Sequence, residues 1–162
     1  MNNMNRLRRT MMFLNAQKPN LLKDPFIYKP DSLIFDLEDA VALGEKDAAR
    51  FVLAHALQSV DYQNCEKVVR INGIDTPFWK EDIRCAVYAG CDSIRIPKTE
   101  SAEDVQAVEA EVLKAEKEAG VEEGHTLLMA AIESAKGVIN LKEICTASSR
   151  LFGVALSAGD YT

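Results

Sequence analysis

Residues 32–41 read SLIFDLEDAV, an apolar run of strand length followed by Asp36, Glu38 and Asp39 within four positions. Carboxylates this close repel one another, so their placement needs a physical reason. Either the cluster faces water, or a positive group lies among the three carboxylates. The fold predicted by the rest of the sequence bears on this choice.

Similar apolar runs recur along the chain, and segments with helical periodicity separate them. Each run has the length of a strand, and most have the β-branched or large apolar composition of a strand buried on both faces. The runs are TMMFLNA (10–16), SLIFDL (32–37), KVVRIN (67–72), SIRIP (93–97), TLLMAAI (126–132) and LFGVAL (151–156). Buried strands that alternate with helices predict a parallel sheet with right-handed crossovers.

Helix signals follow the second apolar run and each later one except the last. Thr76 and Pro77 have the order of an N-cap and a first helical residue, and Ser101 and Asp104 have the spacing of a capping box. A glycine follows each of these two periodic segments, as is common at helix C-termini. The predicted helices lie within residues 45–60, 76–90, 101–120 and 134–147.

Two architectures fit this alternation. Six strands complete a doubly wound open sheet, whereas a (β/α)8 TIM-type barrel needs eight strands and roughly 250 residues. The polar residues favour the barrel, because they fall at the carboxyl ends of successive strands, where closure directs them to one central site. The chain also has no dinucleotide-binding glycine motif after its first strand and no Walker A motif. We therefore expect an α/β chain that forms about the first six β-α units of a (β/α)8 TIM-type barrel, in a single domain over residues 1–162.

Composition and charge restrict the partners. The 162 residues are 48% hydrophobic and 27% charged, which is typical of a globular protein. The formal net charge is −6, and the basic residues are scattered apart from Arg6, Arg8 and Arg9, so no nucleic-acid partner is expected. No apolar run is long enough to cross a bilayer or to form a signal-peptide core with a cleavage site. We expect a cytoplasmic protein with no membrane partner.

Two carboxylates are candidates for a metal site. Glu133, in AAIESAKG, and Asp160, in ALSAGDYT, each follow a long apolar run. A carboxylate there is costly unless it is paired or bound to a cation. Carboxylates on adjacent strand ends suit Mg²⁺, which usually keeps several waters. The alternative is that each residue caps a helix N-terminus and contacts solvent.

Arg70 is the candidate for binding an anionic substrate. It lies in KVVRING between Val69 and Ile71, so strand alternation places its side chain on the opposite face from those two residues. Its planar fork can hold a carboxylate or a thioester oxygen there. The alternative is a structural ion pair with a strand-end acid, and the two roles are compatible. Lys98, after Pro97, is a weaker candidate for the same pocket.

A metal and Arg70 together provide a reason for the carboxylate cluster at residues 36–39. Acids on the neighbouring strand end can position metal-bound water and the guanidinium. Asp36 and Glu38 share one face if the strand continues that far, whereas Asp39 turns toward the next helix. Alternatively, part of the cluster is only charge at a helix N-terminus.

Five motifs occur in an order and spacing that indicate a family. They are FDLEDAVALGEKDAAR, VVRING, IPKTESAEDVQAVEAEV, LLMAAIESAKGV and LFGVALSAGDYT. From about Arg8 to Thr162 the chain resembles the citrate lyase β subunits (citryl-acyl-carrier-protein or citryl-CoA lyases) within the citryl- and malyl-thioester lyase family. The resemblance implies a (β/α)8 barrel that binds Mg²⁺ and cleaves a citryl thioester to oxaloacetate and an acetyl thioester.

The same resemblance implies roles for individual residues. By motif position, Glu133 and Asp160 are expected to bind the metal, and Glu133 is also expected to contact the substrate. Arg70 is expected to bind the substrate and to stabilise the enolate oxygen that forms on cleavage. Glu38 and Asp39 are expected to belong to the same catalytic pocket, with Glu38 as a candidate base.

The resemblance also implies partners and leaves alternatives open. The expected partners are a citryl thioester and the acyl-carrier-protein and transferase subunits of a citrate lyase complex. The alternatives are a related malyl- or other acyl-CoA lyase, and an inactive fragment that acts only as a binding or scaffold element. Because six strands leave two apolar sheet edges unpaired, we expect either part of a longer protein or a chain completed by assembly, with homo-oligomers.

Overall fold

The computed structural model describes residues 6–159 and 161, so the predicted metal ligand Asp160 lies outside the described residues. Six strands alternate with helices, and all of the apolar runs predicted to be strands form them. The strands are β1 (Met11–Asn15), β2 (Ser32–Asp36), β3 (Glu66–Arg70), β4 (Ser93–Ile96), β5 (Leu127–Ile132) and β6 (Leu151–Leu156). The helices are α1 (Pro19–Leu22), α2 (Lys46–Ser59), α3 (Trp79–Tyr88), α4 (Ala102–Ala119), α5 (Ala135–Ile139) and α6 (Leu141–Cys145).

The order of the strands distinguishes the two architectures that fit the sequence. All six strands lie in one parallel sheet in the order β1-β2-β3-β4-β5-β6, each paired with the next along the chain. A doubly wound sheet reverses its winding at a switch point, and this sheet does not. The predicted α/β fold, with the sequential winding of a TIM-type barrel, is confirmed.

The sheet is curled, and a contact across its concave face demonstrates this. Five strand spacings of about 4.8 Å would place β1 and β6 about 24 Å apart in a flat sheet. Arg8, just before β1, instead has its guanidinium carbon 3.7 Å from the ring centre of Phe152 in β6. A side chain cannot bridge the flat-sheet distance, so the two edge strands bend toward each other as they do in a barrel.

The main hydrophobic core lies between the convex face of the sheet and the helices. Alternate strand residues such as Phe35, Val69 and Ile94 are fully buried there with Leu53 of α2 and Val108 of α4. Their strand neighbours point to the concave face, as the period of two requires. The helices therefore hold the sheet from outside and leave the concave face for polar groups.

The amino-terminal end of the concave face is closed by a satisfied polar cluster. Glu66 is fully buried and accepts two hydrogen bonds from Arg8, at 2.6 and 2.8 Å, and one from the Ser32 hydroxyl at 2.7 Å. A buried carboxylate needs such partners to be stable. This end is typical of the stability face of a barrel, opposite the face where active sites form.

The helix boundaries agree with the sequence for α2 and α4 and differ for the other two predicted helices. The capping box of Ser101 and Asp104 is present, and α4 ends at Gly120 in the left-handed conformation. The predicted start at Thr76 is wrong, because Thr76 bonds back to Gly73 in a turn and α3 begins at Trp79. The single helix predicted over 134–147 is also wrong, since Asn140 leaves helical geometry and separates α5 from α6.

None of the helices within the described ranges is long and apolar enough to span a membrane.

Candidate active site

One layer of side chains crosses the concave face near the carboxyl ends of the strands. Strand register aligns Asn15 with Asp36, Asp36 with Arg70, Arg70 with Arg95, and Arg95 with Met129. Residues in register on parallel strands point to the same side of a sheet. The sheet itself thus brings residues from five successive strands into one row.

Arg70 and Asp36 form the central ion pair of this row. Arg70 donates from Nε to Asp36 Oδ1 and from Nη2 to Asp36 Oδ2, both at 2.7 Å, and both residues are buried. Burial opposes the charge on Arg70, but the hydrogen bonds and charge of Asp36, with the charges of Glu38 and Asp39, outweigh it and raise its pKa. Arg70 is therefore a fixed cation, and two of its three nitrogens are occupied by Asp36.

Glu38 lies two residues after Asp36, just beyond the carboxyl end of β2, and has two cationic neighbours. Its Oε2 is 3.1 Å from Arg70 Nη1, and its Oε1 is 3.0 Å from Lys98 Nζ. Burial raises the pKa of Glu38, while the neighbouring cations Lys98 and Arg70 partly oppose the shift. A carboxylate with a raised pKa is suited to accept a proton near neutral pH.

Asp39 lies at the outer edge of the cluster. Its Oδ2 is 4.0 Å from Arg70 Nη1, and its side chain is 58% exposed. The positive group anticipated among the three carboxylates is therefore Arg70, with Lys98 beside Glu38. Part of the cluster also faces water, as Asp39 does.

Two residues that the sequence reasoning did not select hold the backbone under Glu38. Buried Lys46 donates from Nζ to the carbonyl oxygens of Leu37 and Glu38, at 2.7 and 2.6 Å. Asn72 donates from Nδ2 to the Leu37 carbonyl at 3.0 Å and to Asp82 at 2.7 Å. Burial lowers the pKa of Lys46. These contacts fix the loop after β2, and a cavity of about 280 Å³ opens beside it between Glu38 and Lys98.

Glu133 immediately follows β5 and is 7% exposed, so it is a buried carboxylate at the carboxyl end of the sheet. The alternative that Glu133 caps a helix is wrong, because Ser134 caps α5 by accepting a hydrogen bond from the Gly137 amide. Within residues 6–159 and 161, no three His, Cys, Asp or Glu side chains are arranged to hold a metal. Glu133 is an oxygen ligand of the kind Mg²⁺ prefers, and Mg²⁺ often takes only one or two carboxylates from a protein.

Arg95 is the principal residue missed from the sequence. It lies beside Arg70 in the same row, is 5% exposed, and points to the same concave face. The signal was present, since Arg95 lies between two isoleucines in SIRIP just as Arg70 lies between Val69 and Ile71. The structure therefore brings Asp36, Glu38 and Asp39 to Arg70, and adds a second buried guanidinium.

Similarity to known proteins identifies the family of the chain. A sequence model of the HpcH/HpaI aldolase/citrate lyase family matches residues 9–162. The chain belongs to this family. The citrate lyase subunit β of Leuconostoc mesenteroides subsp. cremoris is 56% identical over 162 residues, which are 100% of this chain and 53% of that protein. The chain thus spans about half the length of the curated relatives it matches.

Two further relatives bear on the chemistry. The L-malyl-CoA/β-methylmalyl-CoA lyase of Rhodobacter capsulatus is 37% identical over 159 residues, which cover 96% of this chain and 50% of that protein. The citrate lyase β subunit of Mycobacterium tuberculosis complexed with oxaloacetate and magnesium matches with a TM-score of 0.72 and 26% identity, covering 98% of this chain and 62% of that one. Sequence and structure thus relate the chain to lyases of two substrate types.

Proposed function

We propose that the chain carries the catalytic pocket of a Mg²⁺-dependent carbon–carbon lyase that cleaves a citryl thioester to oxaloacetate and an acetyl thioester. The observation that carries the proposal is the buried arginine and carboxylate cluster at the carboxyl ends of β2, β3 and β5. Active sites of barrel enzymes form at this face. The 56% identity to a citrate lyase subunit β supports the choice of substrate.

Glu133 and Asp160 would hold the metal in this proposal. Glu133 supplies a buried oxygen ligand from the end of β5, and Asp160 follows β6, its partner in the sheet. A bound Mg²⁺ would make the substrate hydroxyl more acidic and polarise the ketone that forms. The relative solved with oxaloacetate and magnesium supports the choice of metal. Glu133 would also contact the substrate from its place beside the concave face.

Arg70 would stabilise the negative charge that develops on the departing acetyl thioester. Cleavage leaves the electron pair of the broken carbon–carbon bond on the thioester enolate, whose oxygen needs a preorganised cation. Asp36 occupies Nε and Nη2, which turns Nη1 toward Glu38 at the mouth of the pocket. Asp36 would therefore act as a positioning residue for Arg70.

Glu38 would accept the proton of the substrate hydroxyl. It is buried, its pKa is raised, and it lies beside the cavity after β2. Lys98 is close enough to stabilise the carboxylate form before the proton arrives. Asp39, at the exposed rim, would add negative charge that keeps Arg70 in place.

The partners follow the same line of inference. A citryl thioester carried by an acyl-carrier-protein subunit, and a transferase subunit that forms it, are proposed on the similarity to citrate lyase β subunits. We propose that such a complex is cytoplasmic and that the chain forms homo-oligomers within it.

The decisive experiment measures oxaloacetate release from a citryl thioester by the native protein, with and without Mg²⁺. Release should require Mg²⁺ and should fall at least about 100-fold in Glu133→Gln, because a neutral amide is a poor Mg²⁺ ligand. The matched control is Glu122→Gln, an exposed residue in the loop before β5, which should retain full activity. Folded protein that releases no oxaloacetate with Mg²⁺ would contradict the proposal.

A malyl-type thioester is the second candidate substrate, because the Rhodobacter capsulatus lyase is 37% identical over nearly the whole chain. Malyl thioesters share the hydroxyl and its adjacent carboxylate with citryl thioesters, so the same pocket chemistry applies. Measuring kcat/KM for both thioesters under the same conditions decides between them. A higher value for the malyl thioester would replace the citryl proposal.

A further inference from the structure

Arg95 is a buried cation on the concave face of the sheet, beside Arg70, and has few hydrogen-bond acceptors within reach. Its Nη1 reaches Met129 Sδ at 3.9 Å, and its Nε has no hydrogen-bond acceptor. The ring centre of Phe13 lies 5.3 Å from its guanidinium carbon. Among the described residues no carboxylate lies within ion-pair distance of Arg95. Neither a thioether sulfur nor an aromatic ring replaces the hydrogen bonds that a guanidinium loses on leaving water.

The other buried arginines differ from Arg95 in this respect. Of the three arginines buried in the described part of the chain, Arg70 is paired with Asp36 and Arg150 with Glu116. Arg150 Nη1 lies 2.8 and 2.9 Å from the two Glu116 oxygens. The fold thus supplies a carboxylate to each buried arginine except the one in the middle of the concave face. Retaining an unpaired buried charge has a cost that a bound anion would remove.

The electrostatic surroundings of Arg95 point to an anionic ligand. Burial and the neighbouring charge of Arg70 lower its pKa, against the opposing effects of Glu133, Asp36 and Glu38. Those acids are near enough to affect the pKa of Arg95, but none of them lies within ion-pair distance of its guanidinium. A small carboxylate entering the pocket would meet two adjacent guanidinium groups, one already occupied by Asp36 and one with its donors available.

We propose that Arg95 binds the second carboxylate of the substrate, the one separated by a methylene group from the carbon that bears the hydroxyl. This inference rests on the proposed function. A citryl thioester has two free carboxylates and a malyl thioester has one, which lies next to the hydroxyl. The carboxylate beside the hydroxyl is the natural partner of the metal, so the second needs a cation of its own. Arg95 therefore determines specificity for a substrate whose oxo-acid half is a dicarboxylate.

The test compares two oxo acids that differ by one carboxylate. Binding of freshly dissolved oxaloacetate and of pyruvate to the native protein is measured by titration calorimetry with Mg²⁺ present. Charged hydrogen bonds to a buried guanidinium predict that oxaloacetate binds about 10- to 100-fold more tightly than pyruvate. Arg95→Met should abolish this preference and leave pyruvate affinity within about twofold, because only the second carboxylate loses its partner.

Controls separate this role from a structural one. Arg84→Met removes a partly exposed arginine of α3 and should leave both affinities unchanged. Arg95→Gln removes the charge with a smaller change in polarity, and serves the same comparison if the methionine variant unfolds. A structural role for Arg95 would weaken both ligands equally, whereas the proposed role weakens oxaloacetate alone.

The outcomes are distinguishable. Equal loss of both ligands, or a preference for oxaloacetate that persists in both Arg95 variants, overturns the role of Arg95 and leaves the lyase proposal intact. Wild-type protein that binds oxaloacetate no better than pyruvate, yet cleaves the citryl thioester, overturns it as well. Wild-type protein that binds neither oxo acid and cleaves no thioester contradicts the proposed function itself.

Discussion

At the level of single residues, the pairing of Arg70 with Asp36 organises the site. Asp36 accepts from Nε and Nη2 of Arg70 and also from the backbone amides of Glu38 and Ala40, so one carboxylate fixes both the guanidinium and the loop that carries the remaining acids. A charged group held in this way is preorganised before a substrate arrives. The geometry of the pocket therefore depends strongly on Asp36.

Replacing Asp36 should reveal this dependence as a loss of stability. Asp36→Asn keeps the shape of the side chain but removes the carboxylate charge that binds two of the three nitrogens of buried Arg70, which predicts a loss of about 3–5 kcal/mol in the free energy of unfolding. Urea unfolding followed by circular dichroism measures it. The control is Glu81→Gln, which breaks a partly exposed pair with Arg84 and should cause no measurable change. A loss below about 1 kcal/mol for Asp36→Asn would contradict the buried-pair argument.

Glu38 should make stability depend on pH. Burial raises the pKa of Glu38 in the folded chain above the ordinary 4.5 of the unfolded chain. Between pH 4.5 and the folded pKa, the folded chain therefore binds more protons at this site than the unfolded chain. The contribution of Glu38 to the free energy of unfolding is therefore full below pH 4.5 and decreases as pH rises through the folded pKa. The stability of the wild type relative to Glu38→Gln should fall as pH rises through this window.

Urea unfolding of both proteins at several pH values measures this difference. Glu122→Gln, which alters an exposed carboxylate, should differ from the wild type by an amount that does not change with pH. A wild type that gains stability relative to Glu38→Gln as pH rises would show that Arg70 and Lys98 outweigh burial, and would reverse the expected sign.

At the level of secondary-structure elements, the site depends on how closely α5 approaches the loop after β4. A Cβ atom added to Gly137 would lie 2.6 Å from the Thr99 carbonyl oxygen and 3.1 Å from Ile132 Cγ2. The Thr99 amide in turn donates to the Ala131 carbonyl at 2.9 Å. The segments that carry Lys98 and Glu133 are thus held together because residue 137 has no side chain.

Gly137→Ala tests this contact. Alanine normally stabilises a helix relative to glycine, but here the new methyl group meets backbone, so we expect a loss of about 1–3 kcal/mol in the free energy of unfolding. The matched control is Gly44→Ala, where an added Cβ has no atom within 4 Å and should not destabilise the fold. Thermal or urea unfolding of the two variants provides the comparison. A stabilised Gly137→Ala protein would contradict the close approach.

At the level of the whole molecule, the sheet has two edges in the described part of the chain. β1 pairs only with β2, and β6 pairs only with β5. On β6, Val154 is 39% and Leu156 is 65% exposed, which is unusual for an apolar strand of a parallel sheet. Exposed apolar edges favour association. The exposed edge at β6 is therefore the surface at which we expect homo-oligomers to form.

Light scattering coupled to size-exclusion chromatography tests this prediction on the native protein. We expect an oligomer whose association weakens in Leu156→Lys, because a charge on the exposed strand opposes its burial. The control is Leu113→Lys, which places a lysine on partly exposed α4 away from the sheet edges and should leave the mass unchanged. A wild type that elutes as a compact monomer would contradict the prediction.

The sequence by itself determined the features that depend on neighbours along the chain. Strand length and composition identified all six strands, the capping box and Gly120 bounded α4, and alternation placed Arg70 on the face opposite Val69 and Ile71. These properties follow from backbone periodicity and from hydrogen bonds between residues a few positions apart. The carboxylates at strand ends also identified the sequential, barrel-type order correctly.

Only the tertiary structure decided which of these residues meet. Register between strands set Asp36 beside Arg70 and put Arg95 in the same row, while the curl of the sheet brought Arg8 to Phe152. The start of α3 and the break at Asn140 were likewise not readable from local signals. The physical reason is that register, curvature and burial arise from packing between segments distant in the chain, whereas periodicity and capping signals report only on each segment by itself.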